Sequence, residues 1–195
     1  MASSAEMQAY STQKHSKSAV TTASQRFKQT LCELFAMLED IITSIHAGKL
    51  SSVTPDAVRF TSLLVSAYDS NVMMESFISH HNHWEHILNH NRQYVMVEFD
   101  EMLKDNGIVA DTSIIKTPFS VHASLIANPG IFGSNRDTWP VIDDDLEAIW
   151  SYFESLIGIA CSHIHSRIKS PSVPPHYRQI NISRYSKALG FELRD

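Results

Sequence analysis

The sequence predicts an all-α protein: a four-helix bundle made of two antiparallel helix pairs, with a long loop between helices 3 and 4 and a short C-terminal helix. Three observations carry this expectation. Apolar residues recur at steps of three and four over long stretches, the period of a helix with one buried face. The segment from Val72 to Lys104 runs 33 residues without Pro or Gly. Helix-start chemistry stands ahead of two of the stretches, as Thr54-Pro55-Asp56 and as Pro140 followed by Asp143, Asp144 and Asp145.

In chain order, helix 1 is expected to begin near Ser24, with Phe27, Leu31, Leu34, Phe35, Leu38, Ile41, Ile42 and Ile45 on one stripe and Gly48 as its C-terminal cap. Thr54 caps helix 2 and Pro55 takes its first position, where the missing N–H costs nothing. Val58, Leu63, Leu64 and Tyr68 form its apolar series, and the short connection makes it antiparallel to helix 1. Met73, Phe77, Trp84, Leu88, Val95, Phe99 and Met102 keep a near-helical step, giving one long helix 3 over 72–104 with a weak point at Asn89 to Asn91.

From Gly107 to Pro140 the pattern changes. Thr112 to Ile115 is β-prone, Pro118, Pro129, Gly130 and Gly133 punctuate, and a long loop is expected. Loops of that length inside compact domains tend to bind something or to be disordered. Helix 4 then carries Leu146, Ile149, Trp150, Phe153, Leu156, Ile157, Ala160, Cys161, Ile164 and Ile168 on one face. Prolines in SPSVPPH end it. Ser183 is expected to cap a terminal helix over Arg184 to Leu189, stopped by Gly190.

The domain reading follows from these elements. Residues 1–22, rich in Ser, Thr and Gln, form a disordered arm; 23–170 are a single helical domain; 171–195 are a basic C-terminal extension. At 43% hydrophobic and 19% charged, the composition is that of an ordinary globular chain. A formal charge of -5 argues against a general polyanion binder. The charge is uneven: Glu98 to Glu154 holds eleven acidic residues against three basic, and Arg167 to Asp195 six basic against two acidic. Such a split steers subunits together, or it describes two solvated faces that never meet. Cys32 and Cys161 sit on apolar stripes and read as small core residues in a reducing compartment. The first twenty residues lack the apolar core of a secretory signal, no stretch has membrane-spanning length, and Ala2 rules out myristoylation.

Chemistry is sparse. No GxSxG, phosphate-binding glycine loop, HExxH or CxxC occurs. Ser134 with Asp143 to Asp145 would make a nucleophile and base, but carboxylates at a helix start are explained as caps, and no catalytic residue is assigned. Met73, Met74 and Trp84 read as core rather than a cofactor box. The run HHNHWEHILNH places His80, His81, His83, His86 and His90 on helix 3, with His83, His86 and His90 at i, i+3, i+7 on one face. That spacing fits a metal ion, a polar face of neutral histidines, or a contact sensitive to pH. His163 and His165 point to different sides of helix 4. No fourth ligand is named by the sequence, so neither metal nor cofactor is assigned.

VIDDDLEAIWSYFESLI resembles the last long helix of the coat proteins of rod-shaped plant RNA viruses of the tobamovirus type. VPPHYRQ followed by YSKALGFEL is similar to the Pro-x-Tyr-Arg step and closing pattern of tobravirus and hordeivirus coat proteins, with Leu193 where they have Trp and Ser186 where they have Glu. The order of elements is similar too. The resemblance implies a four-helix subunit that polymerises into a helical tube around single-stranded RNA, in the virion and, before assembly, in the host cytoplasm. It implies no enzyme activity and no membrane. In that family arginines just before the fourth helix neutralise phosphates and an aspartate in its first turn contacts a ribose. Asp144 falls on that aspartate. Trp139 and Pro140 replace the arginines, leaving Arg136 as the nearest substitute and Arg92 as the only arginine on helix 3. Two other classes remain open: a small helical adaptor, such as a viral accessory protein or RNA-silencing suppressor, and a bundle holding a metal through histidines.

Overall fold

A computed structural model describes residues 21–97, 112–131, 133 and 135–193. Every regular element among them is helical: α1 (Ala23–Ala47), α2 (Pro55–Ala67), α3 (Ser70–Ser79), α4 (Trp84–Leu88), α5 (Arg92–Val97), α6 (Ser113–Ala127), α7 (Asp143–Ile168) and α8 (Ile182–Ala188), with short 3-10 turns between them. The expected N-terminal arm lies outside the described residues except for Thr21 and Thr22.

The helix α1 is central. Its start is fixed by a reciprocal cap, in which Thr22 Oγ1 accepts from the Gln25 N–H at 3.2 Å and the Thr22 N–H donates to Gln25 Oε1 at 2.8 Å. All eight stripe residues from Phe27 to Ile45 are buried. Gly48 occupies the C-cap with a right-handed φ of -74°, and the left-handed residue is Lys49 at +57°. The chain turns there into α2, which runs antiparallel to α1: Lys28 near the start of α1 donates to the Tyr68 carbonyl just past the end of α2, while Glu39 further along pairs with Arg59 early in α2. Around α1 pack α2, α3, α6 and α7, and one apolar cluster joins them.

Several expectations are corrected. Of the apolar series read for α2 only Val58 is buried: Leu64 is half-buried, Leu63 is 69% and Tyr68 40% exposed, and Thr61 and Val65 complete the buried face. The single long helix 3 is three helices as far as Val97, with 98–104 outside the described residues. It breaks first at His80, whose ring Nδ1 lies 2.9 Å from the Ser76 carbonyl oxygen, and then at the expected weak point, Asn89 to Asn91, where His90 takes a left-handed φ of +49°. Asn91 Oδ1 accepts from the Tyr94 N–H at 3.0 Å, so its side chain starts a new helix instead of continuing the old one.

The long loop over 107–140 is also corrected in part. Residues 113–127 form α6, with Pro118 inside it. Proline deletes one backbone bond, but Ile114, Ile115, Phe119, Val121, His122 and Leu125 bury a helical face around it, and that packing outweighs a weak local preference. Helix α7 follows the expected stripe, with Leu146 through Ile164 buried, and Asp145 Oδ2 accepts from the Ile142 N–H at 2.8 Å. The cap of α8 is Asn181 rather than Ser183: its Oδ1 accepts from the Arg184 N–H at 3.1 Å, and α8 ends before Gly190, which has φ +71°.

Residues beyond α7 contribute Val173, Tyr177, Ile180, Ile182 and Tyr185 to the same core. One of their basic groups meets an acidic partner within the chain, Arg184 pairing with Glu85.

Truncating the centre of α1 separates core from surface. Leu38→Ala is expected to cost about 2–5 kcal/mol in a urea unfolding experiment, and Leu63→Ala under about 0.5 kcal/mol, because only the first leaves a buried cavity.

Candidate functional site

The start of α7 lines a cleft of ≈ 240 Å³ together with His122 from α6 and the Arg136–Thr138 turn. Trp139 is the floor. It is 6% exposed, and its indole N–H donates to the Gly133 carbonyl at 3.2 Å. The Arg136 guanidinium lies 5.5 Å from the Trp139 ring centre, a cation–π arrangement that leaves its N–H groups free to turn outward. Asp137, Ile142, Asp143 and Asp144 complete the wall, with Asp144 exposed.

Asp143 is the electrostatic hub. Its Oδ1 lies 3.3 Å from Arg92 Nη2 and 3.4 Å from His122 Nε2. The arginine pair is half exposed and contributes little on its own, roughly 0–1 kcal/mol. His122 differs, being 2% exposed and set edge-on to Trp139 with ring centres 6.2 Å apart. Burial lowers its pKa from the ordinary histidine value. The Asp143 carboxylate opposes that shift, and Arg92 and Arg136 add to it. The ring is therefore neutral near pH 7. With its Nε2 turned to Asp143, its Nδ1 is buried without a hydrogen-bond partner.

The three residues expected to touch nucleic acid thus stand at one place. Arg136 and Asp144 line the cleft, and Arg92 reaches it through Asp143. Arg92 does so because the Asn91 cap makes it the first residue of α5, turned toward α7. Sequence reasoning missed His122, hidden in a segment whose helical period Pro118 obscured, and gave Asp143 only a capping role. Around the two guanidiniums stand the carboxylates of Asp137, Asp143, Asp144 and Asp145, so the local balance is acidic. Ser134 lies outside the described residues.

The histidine run does not share one face, because the helix carrying it is broken. His83 Nδ1 contacts the Tyr94 hydroxyl at 2.5 Å, and His86 stacks on the same ring at 4.4 Å. His90 turns the other way. It stacks on Trp150 at 5.1 Å and lies between Glu147, 3.3 Å away, and Glu154, 2.9 Å away. Among the described residues no group of three or more His, Cys, Asp or Glu side chains could hold a metal ion.

No protein-family model, curated protein or solved structure matches this chain.

The Asp143 carboxylate is what holds the His122 pKa up against burial, so Asp143→Asn is expected to move it further down. Imidazole C–H chemical shifts followed between pH 8 and 4 would read this, and an unchanged or higher titration midpoint would disprove the assignment.

Proposed function

We propose that this chain is a non-enzymatic structural subunit that self-associates into a helical particle and packages single-stranded RNA along the cleft at the start of α7. The observation that carries the reading is that Arg92, remote in sequence, is brought through Asp143 to the acidic-rimmed cleft that Arg136 and Asp144 line beside an indole ring. Arginine suits phosphate because its forked N–H groups match two oxygens. A carboxylate at a helix start suits the hydroxyl of a ribose, to which it offers only acceptors. Phosphate would compete with Asp143 for Arg92, and their half-exposed pair is weak enough to exchange.

The finer architecture belongs to this proposal. The subunit is a four-helix bundle whose members are α1, α2, the segmented run α3–α5 and α7, with α6 inserted before the fourth. Residues 23–193 act as one domain. Lateral contacts would use the apolar residues left exposed near the α2–α3 junction, Phe60, Leu63, Tyr68 and Val72. No helix among the described residues is long and apolar enough to cross a membrane. The partners proposed are further copies of the chain and RNA, in a virion and, before assembly, in host cytoplasm.

The excess of carboxylates over guanidiniums around the cleft favours a second reading, a small helical adaptor that binds protein and no nucleic acid. The two separate by experiment. For the coat reading, the purified full-length chain forms discs or rods in negative stain, and its absorbance ratio reports co-purifying nucleic acid. With a single-stranded RNA oligomer, Arg92→Ala/Arg136→Ala is expected to flatten the dependence of log K on log salt by about 1.4, two phosphate contacts at about 0.7 each. A monodisperse small species with no RNA affinity, unchanged by the double substitution, would establish the adaptor instead.

A further inference from the structure

After α7 the chain turns back across the molecule as a strap, through the Pro175–Gln179 turn and α8. Polar contacts hold it down alongside its buried apolar residues. The Tyr177 hydroxyl donates to Glu75 Oε1 of α3 at 2.5 Å, the Tyr185 hydroxyl donates to the His81 carbonyl at 3.1 Å, and Arg184 pairs with Glu85 of α4. The strap then crosses α7 at Gly158, where its Phe191 lies 3.6 Å from the position a side chain would occupy.

Three histidines stand at this seam with unsatisfied nitrogens: His81 Nδ1, His163 Nε2 and His176 Nε2 are all buried without a hydrogen-bond partner. The His163 and His176 rings each meet the Tyr177 ring edge-on, at 6.0 and 4.9 Å. We propose that residues 175–193 are a releasable strap, held while His81 and His163 are neutral and let go when acid protonates them.

The surrounding charges set the direction. His81 faces His176 of the strap, a neighbour that disfavours a positive charge on the His81 ring. His163 faces Arg167 one turn along α7, a like charge, and Glu75 on α3, whose oxygen lies 3.8 Å away, too far for a hydrogen bond. An imidazolium at His163 would draw Glu75 toward itself, away from the Tyr177 hydroxyl it now accepts from. Two guanidiniums, Arg167 and Arg184, now face two carboxylates, Glu75 and Glu85; protonating His81 and His163 would leave four positive charges against two negative.

Burial lowers the pKa of His81 and of His163 in the closed form; the Ile78 carbonyl opposes this at His81 and Glu75 opposes it at His163, in neither case enough to reverse it. The closed state therefore binds fewer protons than the open one. Its stability is complete above the ordinary histidine value of about 6.5 and is lost as pH falls below it.

Hydrogen exchange of the full chain, read by mass spectrometry with labelling times corrected for the intrinsic pH dependence, tests the idea. Peptides from 175–193 are expected to lose protection by roughly tenfold or more between pH 7.5 and 5.0, while α1 keeps its own. His81→Gln/His163→Gln is expected to retain at pH 5.0 the protection seen at pH 7.5. His163→Gln alone, a milder change, shifts the opening midpoint to lower pH. Equal strap protection at both pH values in the unmodified chain would overturn the proposal. So would loss of protection in His163→Gln at the same midpoint as the unmodified chain.

Discussion

The apolar stripe of α1, Phe27 through Ile45, is enclosed by α2, α3, α6 and α7, and the remaining elements are placed by what those four need. A fully buried Leu, Ile or Phe gains about 1.5–3 kcal/mol over leaving it in water, so closing this stripe is a large favourable contribution to the fold. It also explains why α6 is a helix despite Pro118. The stripe requires a fourth wall, and Ile114, Ile115, Phe119 and Leu125 supply it only when wound at helical pitch. One missing backbone bond is a small cost beside that burial.

Closure of the core has a consequence for the polar groups at its edges. Trp150 on α7 is fully buried, and the ring laid on it belongs to His90, whose left-handed backbone is what turns the side chain toward α7. A non-glycine residue in that conformation is uncommon and is held by its surroundings. Here those are the Trp150 face and the carboxylates of Glu147 and Glu154, one on each ring nitrogen. Because Arg92 follows by two residues, the same kink sets the direction from which that guanidinium approaches Asp143. The geometry of the cleft is thus inherited from a packing decision made nearly a helix turn away.

Electrostatics in this protein is concentrated at the two seams where segments remote in sequence meet: the cleft at the start of α7 and the line along which the C-terminal strap lies. In both, a neutral histidine with a buried, unpartnered ring nitrogen sits beside a carboxylate that also serves a cationic or hydroxyl partner, Asp143 in one and Glu75 in the other. Each carboxylate belongs to a shared arrangement, so changing one member redistributes hydrogen bonds among the rest. The basic character of the last residues, conspicuous in the sequence, is partly answered within the chain by Glu85.

Helical character, the stripes of α1 and α7, the caps at Thr54 and Asp145, and the core placement of Cys161 were legible in the residues alone, because each depends on neighbours within one or two turns. Arg136 and Asp144 were named through the resemblance to rod-shaped virus coat proteins, not through any local pattern of their own. Most of the buried face of α2, the break at His80, the helix through Pro118, and the meeting of Arg92 and His122 at Asp143 were decided only by tertiary structure. In each of these the local signal was weak or contrary, and the deciding free energy came from surfaces contributed by segments far along the chain, which no periodicity within a single segment can register.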